Sequence, residues 1–128
     1  MTMREGTDME KLNTIQKSDK LNEVYRDGKP GPGGAHHTYI IERASGSPAF
    51  LLRVEFQSGP RNVKSARDGV LDEDLLEIVR DRLRGFEGGD FACFENYKAI
   101  EHIEEALMWL NRRKEDRKER GVLGTYQK

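Results

Sequence analysis

The chain has 128 residues, of which 35% are hydrophobic and 35% are charged, and its formal net charge is −1 at pH 7. This length suits one domain, or one domain with a tail, and the near-neutral charge excludes a protein that binds polyanions over its whole surface. Small domains bury a smaller fraction of their surface, so we expect oligomerisation to add to a thin core.

The cysteine content and the hydropathy pattern predict a soluble, cytoplasmic protein. Cys93 is the single cysteine, which excludes an intramolecular disulfide and suits a reducing compartment. No run approaches the roughly 18 apolar residues of a membrane-spanning helix. The first residues lack the apolar segment of a signal peptide.

The N-terminal half of the sequence predicts a small antiparallel β-sheet. Residues 1–20 are polar and aperiodic, which indicates a flexible arm, and a single α+β domain is predicted at 21–128. Residues 21–27 are typical of a short edge strand, and the Gly- and Pro-rich residues 28–34 of a connector. HTYIIE and AFLLRVEFQ, separated by the turn ASGSP, predict a β-hairpin.

The second strand of this hairpin and the loop after it carry two further signals. Leu52, Val54 and Phe56 alternate with polar residues, which predicts one dry face and one wet face. The loop at 58–69 contains three basic residues, Arg61, Lys64 and Arg67.

The C-terminal half predicts two antiparallel helices. The first begins near Asp72, where three acidic residues suit a helix N-terminus, and Gly85 is expected to end it. The second runs from about Glu95 to about Arg120, and Gly121 is its natural stop. Its apolar stripe recurs at helical spacing and consists of Ile100, Ile103, Leu107 and Leu110.

The end of the second helix is basic on the same face as this stripe, because Arg113, Arg117 and Arg120 continue its spacing. One interpretation is a solvated helix end, where cations complement the helix dipole and pair with nearby acids. The other is an anion site, because Arg is the bidentate donor suited to phosphate. The rules for helix ends, taken alone, favour the first interpretation.

Aromatic residues in the bend between the helices are candidates for contact with a nucleotide base. Phe86 ends the first predicted helix, and Phe91 and Phe94 suit the core better. Asn96 opens the second helix, where its amide either caps backbone N–H groups or reads the edge of a base or ribose.

Signals for catalysis and for metal binding are weak. His36 and His37 are adjacent, so on a strand they point to opposite faces and cannot ligate one metal together. His102 stands alone, and Cys93 has neither a CxxC partner nor an adjacent histidine. No catalytic motif is present, so we expect no enzyme activity, no catalytic residues, no cofactor and no metal.

Several segments together resemble one known family. They are GVLDEDLLEIVRDRLRGFEGG, FACFENYKAIEHIEEALMWLNRR and DRKERGVLGTYQK, preceded by FQSGPR. The sequence is similar to the phage Thoeris anti-defence proteins of the first-described type over roughly residues 35–126. The combined pattern GF, EN, AL, L, R, DR and RGV.GT carries the resemblance, and no short piece is specific by itself.

The resemblance implies an α+β fold, with an N-terminal antiparallel sheet followed by two antiparallel helices, that forms homodimers and can assemble into hexamers. It also implies a sponge, which binds cyclic ADP-ribose isomers (glycocyclic ADP-ribose) made by TIR-domain enzymes and does not cleave them. Such a protein acts in the host cell cytoplasm. Some members also hold cyclic oligonucleotides, so cyclic dinucleotides or trinucleotides at a separate, unassigned site are a further expectation.

The resemblance assigns ligand-binding roles by position. It implies that Phe86 stacks on adenine and that Asn96 reads a polar edge. Arginines would hold the diphosphate, and Thr125 would supply a hydroxyl from a closing tail. The arginines that it implies are Arg113, Arg117, Arg120 and, from the sheet side, Arg61.

One position departs from the family pattern, and one alternative function stays open. Lys114 stands where a threonine or another small residue is expected, so the preferred isomer does not follow from the resemblance. The alternative is a nucleic-acid-binding or protein-interaction module that uses the basic helix end. With the resemblance, neither nucleic acid nor a membrane is expected as a partner.

Overall fold

The computed structural model describes residues 8–61 and 63–128 and confirms the predicted α+β class. A four-stranded antiparallel sheet precedes two helices. The chain divides into a sheet unit, formed by the residues up to Ser58 with 67–69, and a helical unit, formed by residues 59–66 and 70–128. The elements are β1 (Glu10–Lys11), β2 (Asn22–Asp27), β3 (Thr38–Arg43), β4 (Phe50–Glu55), α1 (Asp72–Glu87) and α2 (Phe94–Glu119).

The sheet has the strand order β1-β2-β3-β4, and every neighbouring pair is antiparallel. The predicted strand at 21–27 is confirmed as β2, but its predicted position at the edge of the sheet is wrong, because β1 pairs with β2 on that side. β1 and the buried Met9 both fall within the segment 1–20 that the sequence assigns to a flexible arm. Residues 1–7 of that arm lie outside the described residues.

The β3–β4 hairpin is confirmed, with a register shift between Ile41 and Glu42. Its buried residues are Thr38 and Ile40, and the ring of Tyr39 meets Phe56 edge to face with centroids 5.7 Å apart. On the predicted dry face Val54 and Phe56 are half-buried, whereas Leu52 is 50% exposed. The alternation therefore identifies the apolar face of β4 correctly, but the rest of the described chain buries only part of that face.

Helix α1 begins at Asp72, as predicted, and the Asp74 carboxylate accepts a hydrogen bond from the Leu71 N–H at 2.8 Å. The predicted stop at Gly85 is wrong, because α1 continues to Glu87 and Gly88 is its C-cap. An interior glycine costs a helix only about 1 kcal/mol relative to alanine. One local contact in this last turn is the Arg82 guanidinium, which lies 4.9 Å from the Phe86 ring centroid.

Helix α2 begins at Phe94, and its N-cap is Cys93, whose Sγ accepts a hydrogen bond from the Asn96 N–H at 3.4 Å. The capping role considered for the Asn96 side chain is therefore wrong. At the other end, Arg120 is the C-cap and Gly121 follows with φ +71°, which confirms the predicted stop.

The two helices pack through a half-buried apolar seam and share an interhelical ion pair. Arg80 Nε lies 2.7 Å from Glu104 Oε2, and this hydrogen bond raises the pKa of Arg80. All four stripe residues of α2 are half-buried, and no residue in α1 or α2 is fully buried. Neither of these two described helices is long and apolar enough to cross a membrane.

Candidate functional site

The basic end of α2 extends beyond the start of α1. The Arg80–Glu104 ion pair shows which residues of the antiparallel helices lie level, so Asp72, eight residues before Arg80, lies level with about residue 112 of α2. The turns of α2 that carry Arg113 and Arg117 therefore project past α1. We call these turns, with Arg120 and the tail 121–128, the arginine end.

A Schellman motif turns the chain back on itself at the arginine end. The Val122 N–H donates to the Arg117 carbonyl at 3.0 Å, and the Gly121 N–H donates to the Lys118 carbonyl at 3.1 Å. Val122 is buried, which fixes the start of the tail. The tail residues therefore lie within reach of the side chains on the last turns of α2.

Arg117 and Arg120 both bind the main chain of this tail. Arg117 donates to the carbonyl oxygens of Val122, Thr125 and Gln127 at 3.0, 3.1 and 2.7 Å. Arg120 donates to the Lys128 carbonyl at 2.7 Å and to the Asp116 carboxylate at 3.0 Å. Arg113 is exposed, and the described residues offer its side chain no hydrogen-bond or ion-pair partner.

The tail also reaches the loop that carries Arg61. Residues 59–66 belong to the helical unit, and a Cβ added to Gly59 would lie 2.5 Å from Tyr126 Oη. The Thr125 hydroxyl donates to the Val122 carbonyl at 2.5 Å and accepts from the Gln127 N–H at 3.2 Å. Thr125 therefore shapes the tail, and the arginine end brings the Arg61 loop close to the last turns of α2.

The aromatic end of the helical unit, at residues 82–97, holds the other two predicted site residues. Phe86 is half-buried and has one ring face under the Arg82 guanidinium. The Asn96 amide donates a long hydrogen bond of 3.5 Å to the Phe91 carbonyl. Phe91 and Phe94 are 77% and 68% exposed, so the interpretation that they belong to the core is wrong in the chain described.

The two ends of the helical unit are far apart in one chain. Asn96 and Arg113 are separated by 17 residues of α2, which corresponds to about 25 Å at 1.5 Å per residue. A small cyclic nucleotide cannot span that distance. The structure therefore brings Arg61, Arg113, Arg117, Arg120 and Thr125 to one end and Phe86 and Asn96 to the other.

Comparison with known proteins gives one match over residues 51–115, which include most of the helical unit, and one match over most of the chain. The model of the family described as "Acb2/Tad1, hairpin domain" matches residues 51–115. This chain belongs to that family. "Thoeris anti-defense 1" of Bacillus phage SBSphiJ7 is 43% identical over 98 residues, which are 77% of this chain and 66% of that relative. The resemblance to phage Thoeris anti-defence proteins is thereby confirmed.

Sequence reasoning missed two side chains at these ends, Arg82 and Tyr126. Arg82 precedes Phe86 by four residues, and this helical spacing places the two side chains together. The contact could therefore have been predicted from the sequence. Tyr126 follows a helix stop, and no local pattern predicts which loop such a residue reaches. Both belong to the helical unit, most of which the family model covers up to residue 115.

The sheet unit contains a separate concavity, whose lining includes charged side chains of both signs. Its volume is about 330 Å³, and among its lining residues are Asp27, Lys29, His37 and Arg67. The Arg67 guanidinium already donates to the carbonyls of His37 and Phe56. Within the described residues no group of three or more His, Cys, Asp and Glu side chains could hold a metal.

Proposed function

We propose that this chain is a phage anti-Thoeris protein that binds and sequesters a cyclic ADP-ribose isomer, such as glycocyclic ADP-ribose, in the cytoplasm of the infected host. The family match and the name of its Bacillus phage relative support the anti-Thoeris role. The observation that carries the ligand class is the arginine end, where Arg113 stands exposed beside two further arginines on the same helix face.

The chemistry of the two ends suits a nucleotide diphosphate. Arg113 and Arg61 present guanidinium groups, the planar donors that bind phosphate oxygens in pairs. Phe86 presents an aromatic ring, on which an adenine base can stack. Asn96 carries an amide that both donates and accepts, as recognition of a base or ribose edge requires.

We propose that two copies build each pocket, and the distance between the two ends in one chain supports this arrangement. In a two-fold dimer, the aromatic end of one copy meets the arginine end of its partner, so the same contact occurs twice. Exposed apolar side chains on both helices support such a contact. Ile78 and Val79 of α1 are 63% and 45% exposed, and Met108 and Trp109 of α2 are 71% and 62% exposed.

The proposed activity is sequestration without cleavage. The test is to incubate the cyclic nucleotide with excess protein, remove free ligand, denature the protein with heat and weigh the released ligand by mass spectrometry. Intact ligand is the expected result. A product of different mass would indicate an enzyme, and no retained ligand would contradict binding.

Salt dependence separates this proposal from binding of nucleic acid at the same arginines. Duplex binding through six to ten phosphates loses about 10³–10⁵ in affinity between about 50 and 200 mM salt. A pocket for one diphosphate releases few counterions, so its affinity for the cyclic nucleotide should fall by about tenfold or less over that range.

A further inference from the structure

We infer that the concavity of the sheet unit binds the phosphate group of a small ligand, at a site separate from both ends of the helical unit. All of its lining residues belong to the sheet unit, so one unit of one chain forms it. The inference goes beyond the proposed function and does not depend on it, because no residue of the arginine end or the aromatic end takes part.

The concavity lies where the end of β2, the start of β3 and the residues after β4 come together. Asp27, the last residue of β2, is paired with Thr38, the first residue of β3. The connector at 28–34 leaves β2 at this point. After β4, Ser58 is tied to Arg67 by two backbone hydrogen bonds of 2.9 Å each. Hydrogen-bonded backbone therefore orders much of this wall before any ligand binds, which lowers the entropy that binding costs.

The hydroxyl of Thr38 is the observation that points to a ligand. Thr38 is only 8% exposed, and none of the described residues makes a hydrogen bond with its hydroxyl. The hydroxyl is not among the fully buried unpaired atoms of the described residues, so it is open to solvent, and Thr38 lines the concavity. Polar groups in such positions ordinarily have a partner. The occupant of the concavity is the partner that remains.

Two further donors line the same concavity without a partner. These are the Lys29 ammonium and the Ser58 hydroxyl, and no described residue pairs with either group. An ammonium has three N–H donors, and each hydroxyl has one O–H donor. A phosphate group offers three strong acceptor oxygens and carries about −1.5 to −2 charges at pH 7. Its acceptors therefore match the unpaired donors of this lining.

The charges of the lining favour an anion over a cation. Lys29 and Arg67 are positive, and Asp27 is the negative member. The Asp27 carboxylate lies 3.7 Å from the Arg53 guanidinium, which offsets part of its charge. Arg67 already donates to two backbone carbonyls, so it supplies positive charge from a fixed position and leaves the direct contacts to Lys29 and the two hydroxyls.

The size of the concavity suits a phosphate with part of an organic group attached. Its volume of about 330 Å³ lies at the lower end of the range of about 300–1,000 Å³ for small-molecule sites. One wall is the His37 ring, which a Cβ on Gly31 would overlap. The Gly31 N–H also closes a turn by donating to the Ala35 carbonyl at 2.8 Å. Glycine at 31 therefore allows the connector and the imidazole to lie in direct contact.

The test is an NMR titration of the full-length chain with inorganic phosphate. Arg113→Ala serves as the background, because it weakens any phosphate binding at the arginine end. The amide resonances of Gly28, Lys29 and Ser58 should shift together and reach saturation. Shifts that do not saturate, or that are confined to residues outside the concavity, would overturn the inference.

Two matched pairs of variants test the assigned donors in this background. Thr38→Val keeps the branched shape and removes the hydroxyl, so it should weaken phosphate binding about tenfold or more, whereas Thr38→Ser should retain it. Lys29→Ala should weaken binding by a similar factor. Lys17→Ala, which removes an exposed lysine of the same unit outside the concavity, should not. Equal affinities within both pairs would overturn the inference, and the lysine pair decides it if Thr38→Val does not fold.

A parallel titration with AMP identifies the source of the phosphate group. AMP that binds about tenfold more tightly than inorganic phosphate, at the same amides, would support the site and assign it to a phosphorylated nucleoside. Equal affinity would support the site and assign it to the phosphate group alone. Phosphate binding at the concavity without any binding of the cyclic nucleotide to the wild type would support this inference and contradict the proposed function.

Discussion

The arginine end and the aromatic end of the helical unit are organised in opposite ways. At the arginine end, a Schellman motif and four guanidinium-to-carbonyl hydrogen bonds fold the tail back onto α2. At the aromatic end, Phe91 and Phe94 are largely exposed, and the Asn96 amide has one long hydrogen bond.

If two copies build each pocket, as proposed, this difference points to the aromatic end as the one that the second copy completes. Hydrogen bonds within one chain order the arginine end before any ligand or partner arrives. Exposed aromatic rings gain their stabilisation only when another surface covers them. We therefore expect the partner's arginine end to complete the aromatic end, and each prediction below changes one side of this arrangement.

The largest expected effect comes from separating the copies. Val79 lies seven residues before Phe86 and on the same face of α1, and it is 45% exposed. Val79→Glu places a carboxylate in the proposed contact, which should weaken the dimer by about 2 kcal/mol or more. Light scattering at micromolar concentration should then report a monomer, and ligand binding should be lost with it.

The control for this variant is Ile15→Glu, because Ile15 is fully exposed and lies outside the helical unit. It should leave both mass and binding unchanged. A Val79→Glu monomer that binds ligand as tightly as the wild type would contradict the shared pocket.

The next largest effect is expected from a substitution of Arg113, the exposed arginine of the arginine end. Arg113→Ala should weaken ligand binding by about 1.5–3 kcal/mol, the range for hydrogen bonds to charged groups. Arg112→Ala removes the same charge from a side chain that lies near the Trp109 ring, and it should change affinity little. Equal losses in calorimetry would mean that net charge binds the ligand and a shaped site does not.

The matching test at the aromatic end is Phe86→Ala. It should cost about 1–3 kcal/mol if the ring stacks on a base. Phe50→Ala removes an equally large, 54% exposed ring from β4 of the sheet unit, which belongs to neither end, and should leave affinity nearly unchanged. If both variants bind like the wild type, the aromatic end has no part in the site.

The smallest expected effect concerns two ion pairs of the sheet unit. A hydrogen bond from Lys20 lowers the pKa of Glu23, and one from Arg53 lowers the pKa of Glu55. Because these folded-state pKa values are depressed, their stabilisation is complete above the unfolded pKa of about 4.3. It is lost as the pH falls through the folded values.

Carboxyl resonances followed by NMR should therefore titrate below the ordinary glutamate range. Lys20→Ala should return the Glu23 titration to that range and leave Glu55 where it was. An unchanged Glu23 titration in this variant would show that the Lys20 hydrogen bond is not the cause.

The sequence predicts the secondary structure well where local rules decide it. The start of α1, the Gly121 stop and the β3–β4 hairpin follow from capping, positive φ and alternation. Two details were predicted wrongly, the stop at Gly85 and the edge position of the strand predicted at 21–27: α1 continues through Phe86 and Glu87, and β1 pairs with that strand.

The sequence predicts less well which candidate site residues lie together and which of them contact the tail. Helical spacing places Arg113, Arg117 and Arg120 on one face, but it cannot show that the tail holds Arg117 and leaves Arg113 exposed. That distinction depends on where the chain goes after Gly121, and no periodicity encodes it.

Complementation between two defective variants is the most direct test of a pocket shared between copies. Arg113→Ala and Phe86→Ala, co-expressed with different tags and purified through both, form mixed dimers. In a pocket shared across the two-fold axis, one pocket of each mixed dimer receives both intact residues, and the other receives neither. Calorimetry should find ligand bound with wild-type affinity at about one of the two pockets per mixed dimer. Mixed dimers that bind no better than either variant alone would contradict a pocket shared between copies.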